Sequence, residues 1–241
     1  MKIFGKTDIG VVRTMNQDSF EFGKLGENAF FAVLCDGMGG ANAGDVASKT
    51  AVDIIVNLMK TNYKPTMTQN SIKTMLTTSI TNANAKIFTM AHKDELLFGM
   101  GTTVIAAVVV NNSVFLAHVG DSRAYIINSV YAFQLTRDHS MVQYLVEQGK
   151  LTAKQAKNHP EKNIITRALG VEKKVDIDYL ETTVSPGEIL LLCTDGLTNL
   201  VEGSEIKKIA NEFGAENSVD EFIKLANSRG GSDNITIITL S

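Results

Sequence analysis

The chain has 241 residues, 44% hydrophobic and 20% charged, with a formal net charge of −3. This composition is typical of a globular protein with a hydrophobic core, and the length allows one large domain or two small ones. The mildly acidic charge argues against nucleic acid or an anionic membrane as partner, and the longest apolar runs, such as 104–110, are too short to cross a bilayer.

The N-terminal residues 1–8 lack the apolar core of a secretory signal, so we expect a cytoplasmic protein. Cys35 and Cys193 each lie near the end of an apolar run and are interpreted as small buried side chains. A disulfide between them would require the two predicted strands to be neighbours. Nothing in the sequence indicates an oxidising compartment.

The first half of the chain is predicted to contain two strands followed by two helices. Short apolar runs predict strands at 2–7 and 29–35. Apolar residues at helical spacing predict helices at 44–62 and 71–92. The methionines of the second helix are interpreted as core side chains.

The second half begins with a meander of strands. Strands are predicted at 103–110 and 113–119, joined by Asn111-Asn112, because asparagine tolerates positive φ in a two-residue turn. Further elements are predicted as strands at 123–128, 131–135, 188–194 and 234–240, and as helices at 138–150, 152–157, 204–213 and 218–228.

This order of elements predicts an α+β fold. Consecutive hairpins require antiparallel pairing, and strands that are apolar on both faces must be covered on both. We therefore expect a four-layer α-β-β-α sandwich, with two packed, mainly antiparallel sheets flanked by helices. One open sheet with helices on both faces would need regular βαβ alternation, which is absent between residues 101 and 135. No linker is evident, so residues 1–241 are predicted to form a single domain.

Aspartates beside glycine lie at the ends of three predicted strands. Asp36 follows one apolar run, Asp195 follows another, and Asp233 precedes the last strand. Asp121 and Asp18 extend the set. A single Asp-Gly is usually only a turn, but converging buried carboxylates repel one another unless a cation lies among them. Oxygen ligands without a cysteine and histidine cluster favour Mg²⁺ or Mn²⁺.

Two further residues have a possible function on chemical grounds. Gly37 can adopt unusual backbone angles and turn its carbonyl towards the ion that Asp36 binds. Arg13 is either an ordinary surface arginine or a bidentate clamp on a phosphate, and its spacing does not decide between these.

The ordered motifs resemble those of the metal-dependent serine/threonine protein phosphatases, the PPM or protein phosphatase 2C-like family, in its bacterial branch. The similarity extends over nearly the whole chain and implies a β-sandwich flanked by helices. The matching motifs are Arg13-Thr14-Met15-Asn16-Gln17-Asp18, Asp36-Gly37-Met38-Gly39-Gly40, Gly99-Met100-Gly101-Thr102-Thr103, Gly120-Asp121-Ser122-Arg123, Leu135-Thr136-Arg137-Asp138-His139-Ser140, Asn163 to Gly170, Thr194-Asp195-Gly196-Leu197 and Gly231-Ser232-Asp233-Asn234-Ile235-Thr236.

The resemblance implies a dinuclear centre of Mn²⁺ or Mg²⁺. Asp36 would bridge two ions, with the Gly37 carbonyl on the first. Asp195 and Asp233 would bind the second, and Asp18 would act mainly through metal-bound water.

The remaining implied roles lie around this centre. Asp121, with Asp195, would hold a weaker third ion, and Arg13 would bind the substrate phosphate. Arg13, Asp36 and the two aspartates of the second ion would together form the catalytic set. Residues from about 139 to 165 would form a mobile flap beside the site.

One position departs from part of the family. Relatives outside the bacterial branch often have histidine, proposed as the general acid, where this chain has Met38. Methionine cannot donate a proton, so leaving-group protonation must come from elsewhere. His118, His139 and His159 do not match that position and are interpreted as structural or flap-related.

The implied activity is hydrolysis of phosphoserine and phosphothreonine monoesters by a hydroxide that bridges the two metals. The implied partners are phosphorylated proteins and a cognate serine/threonine kinase, with no nucleic acid and no membrane, and a monomer is the default expectation. Two other functions are considered: a non-catalytic module that has kept this fold, and a dinuclear phosphodiesterase or nuclease. The first would be expected to lack the aspartates or Arg13, and the second would favour a basic groove.

Overall fold

The structure, a computed structural model, describes residues 1–39 and 43–241. Its strands, in chain order, are β1 (Ile3–Asp8), β2 (Asp18–Gly26), β3 (Ala29–Met38), β4 (Gly101–Thr102), β5 (Val104–Val110), β6 (Ser113–Val119), β7 (Arg123–Ile127), β8 (Ala132–Gln134), β9 (Asp178–Thr183), β10 (Ile189–Cys193) and β11 (Ile235–Leu240). Its α-helices are α1 (Gly44–Asn62), α2 (Gln69–Lys93), α3 (Met141–Glu147), α4 (Ala153–Lys157), α5 (Asp195–Thr198) and α6 (Gly203–Ser228), and one 3-10 turn covers Glu95–Leu97.

The strands form two antiparallel sheets. The first sheet has the order β1-β11-β10-β7-β8. The second has the order β2-β3-β5-β6-β9, with the short β4 paired to β3. The hairpin predicted between β5 and β6 is confirmed, and Asn111 adopts the positive φ of 52° that such a turn requires.

Three apolar layers hold the sheets and helices together. Phe31 and Val33 of β3 pack with α1 and α2, whereas Leu34 of the same strand packs with residues of the first sheet, including Leu192. A third cluster joins the outer face of the first sheet to α6. The alternation of side chains along a strand therefore buries both faces of each sheet, and the predicted α-β-β-α sandwich is confirmed.

Three strands were not predicted: the two-residue β4, and the longer strands β2 and β9. β2 and β9 are the edge strands of the second sheet, and most of their residues are only partly buried. Because an edge strand is covered less than a central one, its sequence mixes polar and apolar residues and does not form an apolar run.

The helix boundaries also differ in detail. The helix predicted at 138–150 covers only Met141–Glu147, because Ser140 caps it by accepting a hydrogen bond from the Gln143 amide. Two helices were predicted at 204–213 and 218–228, and α6 is indeed interrupted at Gly214, whose φ of 70° and ψ of 177° are not helical. Cys35 and Cys193 are free and buried, as the apolar interpretation predicts. None of the helices in the described residues is long and apolar enough to span a membrane.

Candidate active site

Six of the seven predicted site residues line one pocket of about 470 Å³. These six are Arg13, Asp36, Gly37, Asp121, Asp195 and Asp233. The seventh, Asp18, is buried beside them at the start of β2. Residues separated by up to 220 positions in the chain therefore meet at one edge of the sandwich, as the spacing of the motifs predicts.

The sheet register brings Asp18 and Asp36 together. The two aspartates are direct cross-strand partners in the antiparallel pair β2–β3. Like charges at such positions lie only about 5 Å apart at their Cβ atoms and destabilise a sheet. The backbone of Asp36 is fixed nevertheless, since its amide donates to Thr103 Oγ1 and its carbonyl accepts from the Thr103 amide at 2.9 Å.

Asp18 is a buried carboxylate in which only one of the two oxygens accepts hydrogen bonds from the described residues. Its Oδ2 accepts from Thr194 Oγ1 at 3.0 Å and from Thr236 Oγ1 at 2.6 Å. Its Oδ1 is buried and has no hydrogen-bond partner among the described residues. Burial raises the pKa of Asp18 to about 7, against the two threonine hydrogen bonds that lower it. An unpartnered buried oxygen next to other carboxylates fits a bound cation or its water.

The pKa values of three other aspartates in the site are also raised. Burial, reinforced by the neighbouring carboxylates, raises the pKa of Asp36 far above its ordinary value. Burial followed by repulsion from Asp195 raises the pKa of Asp121 to about 8. The pKa of Asp195 is also raised, mainly by burial and then by Asp233. A divalent cation would reverse these shifts, because it stabilises each charged carboxylate directly.

Next to Asp36 and Asp195, the backbone leaves no room for any side chain, so only glycine fits. A Cβ on Gly37 would overlap the carbonyl oxygen of Gly44 and lie 2.6 Å from that of Gln17. The start of α1 therefore packs directly against the backbone that follows Asp36. A Cβ on Gly196 would likewise overlap the carbonyl oxygen of Asn234.

Arg13 lies at the open side of the pocket. Its Nη2 donates to Asp233 Oδ2 at 2.8 Å, and half of the side chain is exposed. The hydrogen bond with Asp233 is the main cause that raises the pKa of Arg13, so the guanidinium is charged. A charged, partly exposed guanidinium is able to form two parallel hydrogen bonds with an oxyanion.

Several residues that support the site were not predicted. Asn234 accepts a hydrogen bond from the Gln17 amide and donates to the carbonyls of Ile9 and Met15, which holds the loop that carries Arg13. Thr194 and Thr236 hold Asp18. Each of these residues belongs to a recognised motif, but the motif gives no indication of its hydrogen-bond partner.

Of the three histidines predicted to be structural or flap-related, His118 and His139 form a separate buried cluster, whereas His159 accepts a hydrogen bond from the Glu161 amide elsewhere. His118 and His139 stack with ring centroids 4.8 Å apart, and His139 Nε2 lies 3.2 Å from Asp178 Oδ2. His139 Nδ1 accepts from the Gly120 amide, directly before Asp121. Arg167 contacts both His139 Nε2 and Asp178, so its positive charge occupies the position a cation would need. We therefore do not interpret this cluster as a metal site.

The family comparison decides the class of protein. The protein phosphatase 2C family profile matches residues 11–236. The chain belongs to the protein phosphatase 2C family. It is thus an enzyme that dephosphorylates phosphoproteins at serine and threonine. The serine/threonine phosphatase stp of Listeria monocytogenes is 40% identical over 234 residues, covering 97% of this chain and 92% of that protein.

Solved structures of family members have the same fold. The serine/threonine phosphatase Stp1 of Staphylococcus aureus superposes with a TM-score of 0.94 at 37% identity, covering 99% of this chain and 93% of that one. The catalytic domain of the serine/threonine protein phosphatase PstP, solved in complex with two manganese ions, superposes with a TM-score of 0.85 at 30% identity, covering 99% and 96% of the two chains.

Proposed function

We propose that this phosphatase uses Mn²⁺ or Mg²⁺ held by the converging aspartates to hydrolyse phosphoserine and phosphothreonine directly. The observation that carries this proposal is the group of buried carboxylates around one pocket, with Asp18 Oδ1 left unpartnered. The two manganese ions of the PstP structure support it. Asp36, Asp195 and Asp233 would hold two ions with the Gly37 carbonyl. Asp18 would act through water, and Asp121 would help to hold a weaker third ion.

When bound, two such ions supply a nucleophile from water near neutral pH and neutralise charge on the phosphate. The residues of the chain supply the rest. Arg13 would orient the phosphate by two parallel hydrogen bonds, since its guanidinium matches the geometry of two phosphate oxygens. Thr194 and Thr236 donate hydrogen bonds to Asp18 Oδ2, so that Oδ1 is the carboxylate oxygen left for another partner. Met38 lines the pocket but has no proton to give, which excludes it as a general acid.

The setting of the enzyme is also part of the proposal. We expect one domain over residues 1–241, with a flap at about 139–165, acting as a monomer in the cytoplasm. Its substrates would be the targets of a cognate serine/threonine kinase. The acidic pocket gives no support to a nuclease, because a phosphodiester backbone favours a basic groove.

Phosphate release from a phosphothreonine peptide tests this function. With Mn²⁺, the protein should be active, and a chelator should abolish the activity reversibly. Asp36→Asn should lower kcat/KM by at least about 100-fold. Loss of a residue that only supports a metal ligand already lowers activity by about 10- to 100-fold, and loss of a ligand itself should cost at least as much. Asp220→Asn is a matched control, since this exposed carboxylate pairs with Lys6 and does not line the pocket. Full activity of Asp36→Asn at defined metal would refute the proposal.

A further inference from the structure

The turn that carries Asp121 is fixed by its neighbours and not by contacts of the aspartate side chain. Asp121 lies between β6 and β7, and no other side chain of the described residues donates a hydrogen bond to its carboxylate. The direction of that carboxylate is therefore set by the backbone on either side of it. We call the three residues Gly120-Asp121-Ser122 the Asp121 turn.

His139 holds the first residue of the Asp121 turn by two reciprocal hydrogen bonds. The Gly120 amide donates to His139 Nδ1 at 3.0 Å, and the His139 amide donates to the Gly120 carbonyl at 3.0 Å. Gly120 has a φ of 109°, and a Cβ there would lie 2.6 Å from the Cβ of Thr103. A buried backbone amide needs an acceptor, and at this position outside the strands the histidine ring supplies it.

The last residue of the Asp121 turn is held by a residue that also fixes Asp36. Thr103 Oγ1 lies 2.9 Å from Ser122 Oγ and accepts a hydrogen bond from the Asp36 amide at 3.0 Å. One threonine thus connects the turn to the strand that carries Asp36. With Ser122 tied in this way, the position of Gly120 decides how the backbone of Asp121 is turned towards the pocket.

The far side of the His139 ring keeps its proton where the contact with Gly120 needs it. Because Nδ1 accepts from the Gly120 amide, the neutral ring carries its proton on Nε2. Nε2 lies 3.2 Å from Asp178 Oδ2, which accepts that proton in a hydrogen bond. Arg167 Nη1 holds Asp178 in turn, donating to its Oδ1 at 2.7 Å. The carboxylate therefore fixes both the tautomer and the orientation of the ring.

The surroundings of the ring prevent it from turning away. His139 is 6% exposed and stacks on His118 with the ring centroids 4.8 Å apart. The Thr166 amide donates to the His139 carbonyl at 2.8 Å. Further along the same segment, the Gly170 amide donates to Asn84 Oδ1 at 2.8 Å, and Asn84 is a buried residue of α2. The segment that contacts His139 is thus anchored to a helix of the core, and the ring stays against Gly120.

We infer that His139 is a positioning residue of the proposed metal centre, which directs Asp121 towards the weaker ion by holding the backbone of Gly120. This inference rests on the proposed function, because Asp121 binds an ion only in that proposal. His139 is not itself a ligand, since its Nδ1 is taken by Gly120 and its Nε2 by Asp178. Removal of a residue that supports a metal ligand typically weakens metal binding by about 10- to 100-fold.

Two substitutions of similar shape separate the roles of the two ring nitrogens. His139→Asn keeps an acceptor oxygen at the position of Nδ1 and removes the contact with Asp178. His139→Gln places its amide near the position of Nε2 and leaves the Gly120 amide without an acceptor. A purely structural role in the buried histidine pair predicts similar effects for both variants. Positioning through Gly120 predicts that they differ at the metal site.

Calorimetric titration with Mn²⁺ measures the effect on the ions. His139→Gln should weaken the weakest Mn²⁺ site by about 10- to 100-fold, while the tighter sites keep the affinity of the parent protein. His139→Asn should keep the parent affinity at the weakest site as well. An equal loss in the two variants, or no loss in His139→Gln, would overturn the inference.

Crystal structures of the two variants without metal test the inference independently of any ion. In His139→Gln the Asp121 carboxylate should move by more than about 0.5 Å, which is the tolerance of a functional site. In His139→Asn it should stay in place. An unmoved carboxylate in His139→Gln would refute the role of His139.

Failure of the proposed function gives a different result. A parent protein that binds no Mn²⁺ and releases no phosphate would count against the function, while the metal-free crystal structures still decide the role of His139. The parent protein also provides a check that needs no folded variant. NMR of the protein labelled with ¹⁵N-histidine should show the His139 proton on Nε2, and a proton on Nδ1 would refute the inference.

Discussion

At the scale of single residues, Asp18 and Gly37 show how the site departs from an ordinary interior. Asp18 is buried with one oxygen held by two threonines and the other without a partner among the described residues. Gly37 brings the backbone after Asp36 into contact with the first residue of α1, Gly44. The unpartnered oxygen of Asp18 costs stability in the protein alone, and a bound cation would offset that cost.

Gly37→Ala is expected to destabilise the protein and remove its metal-dependent activity. The added methyl group would overlap the Gly44 carbonyl, and overpacking of this kind costs typically about 1–3 kcal/mol. Denaturant unfolding and phosphatase assays measure the two effects. Gly203→Ala is the matched control, because a Cβ there meets nothing within 4 Å, and it should be neutral or mildly stabilising. A Gly37→Ala protein as stable and active as the parent would contradict this account.

The sequence allowed the acidic residues to be predicted but not their supporting contacts. Asp36, Asp195 and Asp233 stand out because an aspartate beside glycine recurs at three strand ends, whereas one such pair alone is usually only a turn. The threonines that hold Asp18 lie 176 and 218 positions away from it, and no local pattern encodes such a contact. The same holds for Asn84, whose polar side chain lies among the mainly apolar buried residues of α2.

At the scale of elements, the segment between β8 and β9 contains the residues that we propose as a flap, at about 139–165. An isolated bridge between Ser140 and Ile165 closes its base, and the Thr166 amide donates to the His139 carbonyl at 2.8 Å. The helices α3 and α4, both fully within the described residues, contain no buried residue. The cross-links from these helices to the rest of the chain include the exposed ion pair Lys157–Glu202. An exposed ion pair of this kind contributes at most about 1 kcal/mol.

Amide hydrogen exchange is expected to separate this flap from the sheets. Amides of α3 and α4 should exchange through local opening, whereas those of β3 and β5 should exchange only through global unfolding, since these strands are central and buried. The two groups should therefore differ by orders of magnitude in protection factor. Equal protection in α4 and β5 would contradict a mobile flap.

In the second sheet, the central strands were predicted and the edge strands were not. β3, β5 and β6 are apolar on both faces because helices cover one side and the other sheet covers the opposite side. β2 and β9 lie at sheet edges, where partial exposure permits charged residues such as Glu21 and Glu181. β2 pairs with β3, the next strand in the chain, whereas β9 pairs with β6, which is distant in sequence, and a pattern along the chain does not reveal that contact.

At the scale of the whole molecule, the sandwich positions chemistry that no single segment contains. The first sheet contributes Asp195 after β10 and Asp233 before β11, and the second contributes Asp36 on β3 with Asp18 opposite. The apolar layer between the sheets fixes these strand ends relative to one another. We therefore expect the metal site to depend on the packing of the two sheets, and not on any one motif.

The central claim is that these carboxylates form a binding site for two divalent ions. The most direct measurement is a crystal structure of the protein grown with Mn²⁺, with anomalous difference density collected at the manganese edge. The account predicts two strong peaks in the pocket, both within bonding distance of Asp36 or its bound water, with Asp195 and Asp233 beside one of them. Full manganese occupancy elsewhere, with no peak among these three aspartates, would contradict it.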